Sequence, residues 1–168
     1  TRTSSSAASD VYKRQGYDYG ERDWYRLSFE FKNINTTFVN SRRTPKFAWR
    51  NLKDNSGPKH SYLDIEETGF EELQNAIDTH SHIFVTADST SMITEIITRG
   101  YFVNVIEMRG PIKKEHHHEI IENFQKKGLL TILRLNQLQL SENKFQKNVK
   151  DFVVTERDAL KSRILELL

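Results

Sequence analysis

The chain has 168 residues, of which 36% are hydrophobic, including 10 Phe, 6 Tyr and 2 Trp. This is enough for one domain with a substantial core and too short for two domains of ordinary size. With 25 Lys and Arg against 23 Asp and Glu, the net charge is only +2, so the sequence does not predict a nucleic-acid partner. The absence of cysteine excludes disulfides, thiolate metal sites and a cysteine nucleophile, and no segment approaches the ~18 consecutive apolar residues of a membrane span.

The first 20 residues are predicted to lie outside the folded domain. Residues 1–15 are rich in Ser and Ala, carry Asp10 as their one acidic residue, and show neither helical nor strand periodicity. A transit peptide is Ser- and Arg-rich and poor in acids, but this segment has no amphipathic arginine face. Residues 4–15, SSSAASDVYKRQ, also resemble translated cloning-adapter sequence. We therefore expect a non-native or disordered extension over residues 1–20 and one domain over residues 21–168.

Helices and strands are predicted to alternate from the start of this domain. Trp24, Leu27, Phe31 and Ile34 follow helical spacing, and Asp23 directly before them is predicted to cap the helix. Leu27, Phe29 and Phe31 also alternate as in a strand, and we favour the helix. The next predicted elements, from residue type and composition, are a strand over residues 36–40, a helix that begins at Pro45, a loop over residues 51–59 and a short strand over residues 62–65.

The second half of the chain repeats this alternation with stronger signals. Residues 82–87, HIFVTA, are nearly all apolar, as in parallel strands covered on both faces, and Gly100 stands where a helix end favours left-handed backbone. The predicted elements are helices over 70–78, 90–99 and 115–127, strands over 82–87, 102–106 and 129–133, an exposed helix face over 142–150, and a last helix capped by Thr155-x-x-Asp158. The alternation predicts an α/β domain with a largely parallel sheet.

The first candidate binding segment is Ser41-Arg42-Arg43-Thr44-Pro45, which directly follows a predicted strand. In open parallel sheets, ligands bind where strands end and helices begin. Of two adjacent arginines, one can bind a phosphate with two parallel hydrogen bonds while the other pairs with protein. A solvated basic turn is the alternative interpretation.

The second candidate segment is TADSTSMITEIITRG, residues 86–100. A buried strand leads into a helix start with Asp88 and three hydroxyl residues, where free N–H groups and the helix dipole favour an anion. Glu95 lies one turn after Ser91 on the same face. This geometry suits a nucleotide, with its diphosphate on the helix start and its ribose on Glu95. Alternatively, the hydroxyl residues only cap the helix, and Glu95 only pairs with Arg99 at i,i+4.

The histidines are weaker candidates. Three adjacent histidines, His116-His117-His118, diverge by about 100° each around a helix, so one at most can face a given ion. We interpret them as a solvated face. His80 and His82 stand at a strand entry, and we interpret them as structural.

The two segments, in this order, resemble the mitochondrial-fission Elm-type family of bacteria and plants, over residues 23–134. That family is similar to GT-B glycosyltransferases, and the segments correspond to its C-terminal half, so the resemblance implies a Rossmann-like three-layer domain whose N-terminal lobe is absent from this chain. It implies phosphate or donor contacts from Ser41, Arg42, Arg43, Thr44, Asp88, Ser89, Ser91 and Met92. It implies that Glu95 binds the ribose. The chain has Gly100-Tyr101-Phe102-Val103 where the family usually has Gly-Lys-Pro-Val.

The function implied by this resemblance is binding of a UDP- or GDP-type nucleotide sugar and glycosyl transfer without a metal or another cofactor. Arg42 or Arg43 and the helix start would stabilise the leaving diphosphate, while the general base would lie in the other lobe, so the isolated chain is expected to be inactive. The resemblance implies a cytoplasmic location, with peripheral membrane attachment left open.

Two other functions remain open. The plant branch of the family is associated with the mitochondrial surface and with recruitment of the dynamin-type fission machinery, which implies a non-catalytic adapter on the same scaffold. The other alternative is a Rossmann-like domain with a different phosphorylated ligand.

Overall fold

The computed structural model describes residues 19–41, 44–55, 57–107, 115–135, 153–158 and 162. Within these residues helices and strands alternate along the chain. The order is α1 (Glu21–Phe31), β1 (Thr36–Val39), α2 (Lys46–Asp54), β2 (His60–Leu63), α3 (Phe70–Thr79), β3 (Ile83–Thr86), α4 (Thr90–Thr98), β4 (Val103–Glu107), α5 (Glu115–Lys126) and β5 (Leu130–Arg134). Residues 153–158 are also helical.

All strand pairing among the described residues is parallel. β1 pairs with β2 in the register that places Phe38 opposite Tyr62. β3, β4 and β5 form a second sheet in that order, in which Val105 lies opposite Val85 on one side and Ile132 on the other. Parallel strands need crossover connections, and the intervening helices supply them. The predicted α/β class with a parallel sheet is confirmed.

The core lies on both faces of the strands, which makes the domain three-layered. On one face, Val85 and Val105 pack in a cluster with Ile93 and Ile97 of α4 and Ile121 of α5. On the other face, Ile106 packs with residues of α1 and α2, among them Trp24, Leu27, Phe31, Ala48 and Leu52. Neighbouring strand residues point to opposite faces, so β3 and β4 contribute to both clusters. The predicted Rossmann-like three-layer architecture is confirmed.

Helix α1 begins earlier than predicted. Gly20 is its N-cap, and the Gly20 amide donates to the Asp23 carboxylate at 2.9 Å. Asp23 is therefore the third residue of the helix, and its predicted role as the N-cap is wrong. A carboxylate at this position reaches back to the N-cap amide as in a capping box, which explains why an acidic residue is favoured here although it does not begin the helix.

The loop predicted over residues 51–59 is also wrong in its first half. Helix α2 continues to Asp54, because Leu52 lies one turn after Ala48 and both are buried against α1. β2 begins at His60, two residues before the predicted strand. Thr155 lies inside a helical stretch rather than at its start. The helix face predicted over residues 142–150 lies outside the described residues.

The turn between α4 and β4 requires a left-handed residue, which Gly100 supplies with φ 91°. We expect Gly100→Ala to lower the free energy of unfolding by about 1–2 kcal/mol, since other L-residues are strained there. Gly69 is the control: its φ is −71° and an added Cβ would contact nothing within 4 Å. Gly69 is the N-cap of α3, so Gly69→Ala should cost only about 0.5 kcal/mol, the difference between glycine and alanine at that position. Equal losses in urea unfolding of the two variants would contradict this account of the turn.

Candidate functional site

A cavity of about 640 Å³ lies between β1 and β3. The lining residues at the carboxyl ends of these strands come from both candidate segments, and we call this end of the cavity its opening. From the first segment they are Ser41, Thr44 and Pro45, and from the second they are Asp88, Ser89, Met92 and Glu95. The structure therefore brings together two segments that are separated in sequence by α2, β2, α3 and β3. Arg42 and Arg43 lie outside the described residues.

The segment after β1 forms a closed turn. The Ser41 amide donates to the Thr44 hydroxyl at 2.9 Å, and the Thr44 amide donates to the Ser41 carbonyl at 2.9 Å. Pro45 follows as the N-cap of α2 with φ −61°. These bonds hold Ser41 and Thr44 together between the end of β1 and the start of α2.

The end of β1 is also tied to the end of β2. The Asn40 carboxamide oxygen accepts from the Ile65 amide at 2.7 Å. A hydrogen bond from the Asn40 side chain to Asp64 is the main cause that lowers the pKa of Asp64, with a further contribution from the Glu66 amide. This network fixes where β1 stops and where the turn that contains Ser41 and Thr44 starts.

The second segment forms the start of α4. The Ser89 amide donates to the Thr86 carbonyl at 3.1 Å, and Ser89 is the N-cap, but its side chain makes no capping hydrogen bond. The first-turn amides of a helix have no acceptor within the helix, so this helix start can receive an anion. Met92 is half-buried against the core, while Ser91 is exposed and does not line the cavity. Any contact from Ser91 would therefore come through its backbone amide.

Glu95 takes part in a polar network at the edge of the cavity. Its carboxylate accepts from Arg99 at 2.5 Å, with 56% of the Glu95 side chain and 23% of the Arg99 side chain exposed. Arg99 also donates to Gln74 of α3. Glu95 therefore pairs with Arg99 at i,i+4, as the alternative interpretation predicted. Such exposed helix pairs contribute only about 0.3–0.5 kcal/mol, so ligand hydroxyls can compete for the carboxylate.

The contact between Arg99 and Gln74 was not predicted from the sequence. Arg99 lines the cavity and connects α4 to α3 through Gln74. The spacing of Glu95 and Arg99 was visible in the sequence, whereas the contact with Gln74 depends on how α3 packs beside α4. No local pattern could have indicated it.

The histidines have structural partners. His80 interacts with the Ala76 carbonyl at 2.8 Å and with the Thr37 hydroxyl at 3.0 Å. His118 pairs with Glu122 at 2.9 Å, and nothing is described for the side chains of His116 and His117. Across the described part of the chain, His, Asp and Glu form no group of three that could hold a metal ion.

Among the described residues, no helix has both the length and the apolar character needed to cross a membrane.

Comparisons with known proteins identify the family. No curated protein and no solved structure matches the chain. The family model described as Mitochondrial fission ELM1 matches residues 25–161, which cover most of the chain and include both candidate segments. The chain therefore belongs to the mitochondrial fission ELM1 family.

Proposed function

We propose that this domain binds the diphosphate of a UDP- or GDP-type nucleotide sugar at the cavity between β1 and β3, as the donor half of a GT-B-like glycosyltransferase. The observation that supports the proposal is the meeting of the two candidate segments at one cavity opening. The site lies at the carboxyl ends of parallel strands, where α/β proteins bind their ligands. A volume of about 640 Å³ also falls within the range of small-molecule pockets, about 300–1,000 Å³.

The charges around the opening suggest how such a ligand would be oriented. The start of α4 offers backbone N–H groups and the positive end of the helix dipole to the diphosphate. Arg42 and Arg43 would add positive charge from the turn after β1. Asp88 also lines the opening, but a carboxylate repels phosphate oxygens. Within the proposal, Asp88 therefore accepts hydrogen bonds from hydroxyl groups of the donor, and the Ser89 hydroxyl and the amides of Thr90 to Met92 contact the diphosphate.

In glycosyl transfer, negative charge grows on the diphosphate as the bond to the sugar breaks. Donors that are already aimed at this group stabilise the transition state more than the ground state. Arg42, Arg43 and the α4 amides would perform this role without a metal. The acceptor and the general base are proposed to come from a second lobe, so this chain alone is expected to bind nucleotide weakly and to transfer no sugar.

Glu95 provides a specific test, because its proposed partner is the ribose rather than the diphosphate. We expect Glu95→Gln to weaken UDP binding about tenfold, which corresponds to about 1.4 kcal/mol, while binding of inorganic pyrophosphate is unchanged. Calorimetry with both ligands measures this difference. Glu71→Gln, an exposed change on α3 with the same loss of charge, should affect neither ligand. Equal UDP affinity for wild type and Glu95→Gln would show that Glu95 does not contact the ribose.

An adapter function is the second candidate, and one surface favours it. Helix α1 exposes two aromatic residues one turn apart, Tyr25 at 54% and Phe29 at 63%, and α2 exposes Phe47. Clustered exposed apolar side chains commonly mark protein-interaction surfaces. Absence of binding to UDP, GDP and their sugars would favour this adapter function over the donor site.

A further inference from the structure

Helices α1 and α2 cover one face of the strands and expose an outward surface of their own. They pack side by side, and each buries one stripe, with Leu27 of α1 and Leu52 of α2 in the same core cluster. Because residues three and four positions apart lie on one side of a helix, the exposed residues form a second stripe on each helix. We call the two outward stripes together the α1–α2 face. Its basic and aromatic residues are Arg22, Tyr25, Arg26 and Phe29 of α1 and Lys46, Phe47, Arg50 and Lys53 of α2.

Aromatic rings lie among the cations of this face. Among the side chains that the structure describes, the exposed aromatic rings are those of Tyr25, Phe29 and Phe47. All three belong to the α1–α2 face. Exposed apolar side chains that gather on one surface commonly mark a site of contact with a protein or a membrane.

The α1–α2 face is positively charged, although the whole chain is nearly neutral. Helices α1 and α2 contain five Lys and Arg residues, all exposed, and three acids that are not buried, Glu21, Glu30 and Asp54. Their remaining acid, Asp23, is buried at the start of α1. Five positive charges against three negative ones give the face a net charge of +2.

The helices on the other side of the strands have the opposite charge. Ile77 of α3 and Ile93 of α4 pack in the other core cluster, and these two helices contain four acids and no Lys or Arg. The two outer layers of the domain therefore differ in sign. A concentration of positive charge on one surface attracts an anionic partner.

An anionic lipid surface suits this combination of residues better than a protein surface does. Each Lys or Arg close to a negatively charged lipid surface strengthens binding by about fivefold, and aromatic side chains lie at the level of the lipid headgroups. Protein interfaces, in contrast, are depleted in lysine, whereas Lys46 and Lys53 are two of the five cations here.

We propose that the α1–α2 face docks on an anionic lipid surface, with its three aromatic rings in the headgroup region and its five cations on the lipid anions. The apolar stripes of both helices are already packed against the strands, so docking uses the folded domain as it is. Arg22, Arg26 and Phe29 do not line the cavity between β1 and β3, so lipid binding can be tested at these residues separately from the candidate nucleotide site.

Co-sedimentation of the whole chain with lipid vesicles tests this proposal. Vesicles of phosphatidylcholine alone are compared with vesicles in which about a third of the lipid is phosphatidylserine, which gives the surface a negative potential. We expect the chain to bind the anionic vesicles at least about tenfold more tightly than the neutral ones. Binding should weaken as salt is raised from about 0.1 M to about 0.5 M, because salt screens exposed charges.

Substitutions on the α1–α2 face should weaken this binding. Arg22→Ala with Arg26→Ala should lower the affinity for anionic vesicles by about tenfold or more, since each cation contributes about fivefold. Phe29→Ala should lower it severalfold, because it removes apolar surface from the face.

The matched control is Lys126→Ala with Lys127→Ala. It removes the same charge at the end of α5, in the opposite layer, where both side chains are exposed and each lies near a glutamate, as Arg26 does. Binding to the anionic vesicles should change less than about twofold in this control, since the lost charges make no contact with the lipid.

Three results would overturn the proposal. Absence of binding to the anionic vesicles would exclude a lipid surface and favour a protein partner for this face. Equal losses in the two double variants would mean that net charge, rather than the α1–α2 face, determines binding. Equal binding to neutral and anionic vesicles would show that the cations of the face take no part.

Discussion

Replacing Phe31 with alanine is expected to lower the free energy of unfolding by about 3–5 kcal/mol, the usual cost of truncating a buried phenylalanine. Phe31 is only 4% exposed, and its ring contacts Phe38 of β1 and Phe84 of β3. The cavity left by the substitution would lie where α1 covers both sheets. Urea unfolding followed by circular dichroism measures the change in free energy.

Phe29→Ala is the matched control for this prediction. It removes the same atoms from the same helix, but Phe29 is 63% exposed, and exposed substitutions usually change stability by no more than about 0.5 kcal/mol. A loss for Phe31→Ala no larger than that for Phe29→Ala would show that α1 does not hold the two sheets together.

Replacing both Arg42 and Arg43 with alanine is expected to weaken binding of UDP and of inorganic pyrophosphate by at least tenfold. Hydrogen bonds to charged groups contribute about 1.5–3 kcal/mol each, and about 1.4 kcal/mol corresponds to a factor of ten in affinity. Because these side chains are proposed to contact the diphosphate, both ligands should be affected, in contrast to Glu95→Gln. Calorimetric titration of each variant measures the affinities.

The control for this double substitution is Arg22→Ala with Arg26→Ala. It removes the same total charge from the exposed face of α1, where Arg26 pairs with Glu30 at 3.6 Å. UDP affinity should change less than twofold in the control, since both arginines are exposed and neither lines the cavity, and salt screens exposed charges that make no direct contact. An equal fall in both double variants would mean that net charge, rather than the turn after β1, determines binding.

The elements that were predicted well are those whose sequence pattern follows directly from burial or from backbone geometry. The run from His82 to Ala87 is apolar because β3 is covered on both faces, and Gly100 follows α4 because the turn needs a positive φ. The prediction of a loop over residues 51–59 was wrong in its first half because it relied on the polar composition of the segment, in which Leu52 was the one residue that indicated burial. Asp23 was misplaced because an acidic residue suits both the N-cap and the third position of a helix.

The candidate site was predictable in part. Once both segments were placed after parallel strands, their meeting at one edge followed from the fold class. The cavity between β1 and β3 was not predictable, because strand spacing depends on how the layers pack. The contact between Gln74 and Arg99 has the same origin, since it joins two helices whose relative position no local pattern specifies.

We propose that the two segments form one nucleotide diphosphate site, and competition calorimetry tests this claim. UDP is titrated into the chain with and without saturating inorganic pyrophosphate. We expect one UDP to bind per chain and pyrophosphate to weaken its binding, because both ligands would occupy the same position between the turn after β1 and the start of α4. UDP binding that pyrophosphate leaves unchanged, or no binding of UDP or GDP at all, would contradict the claim.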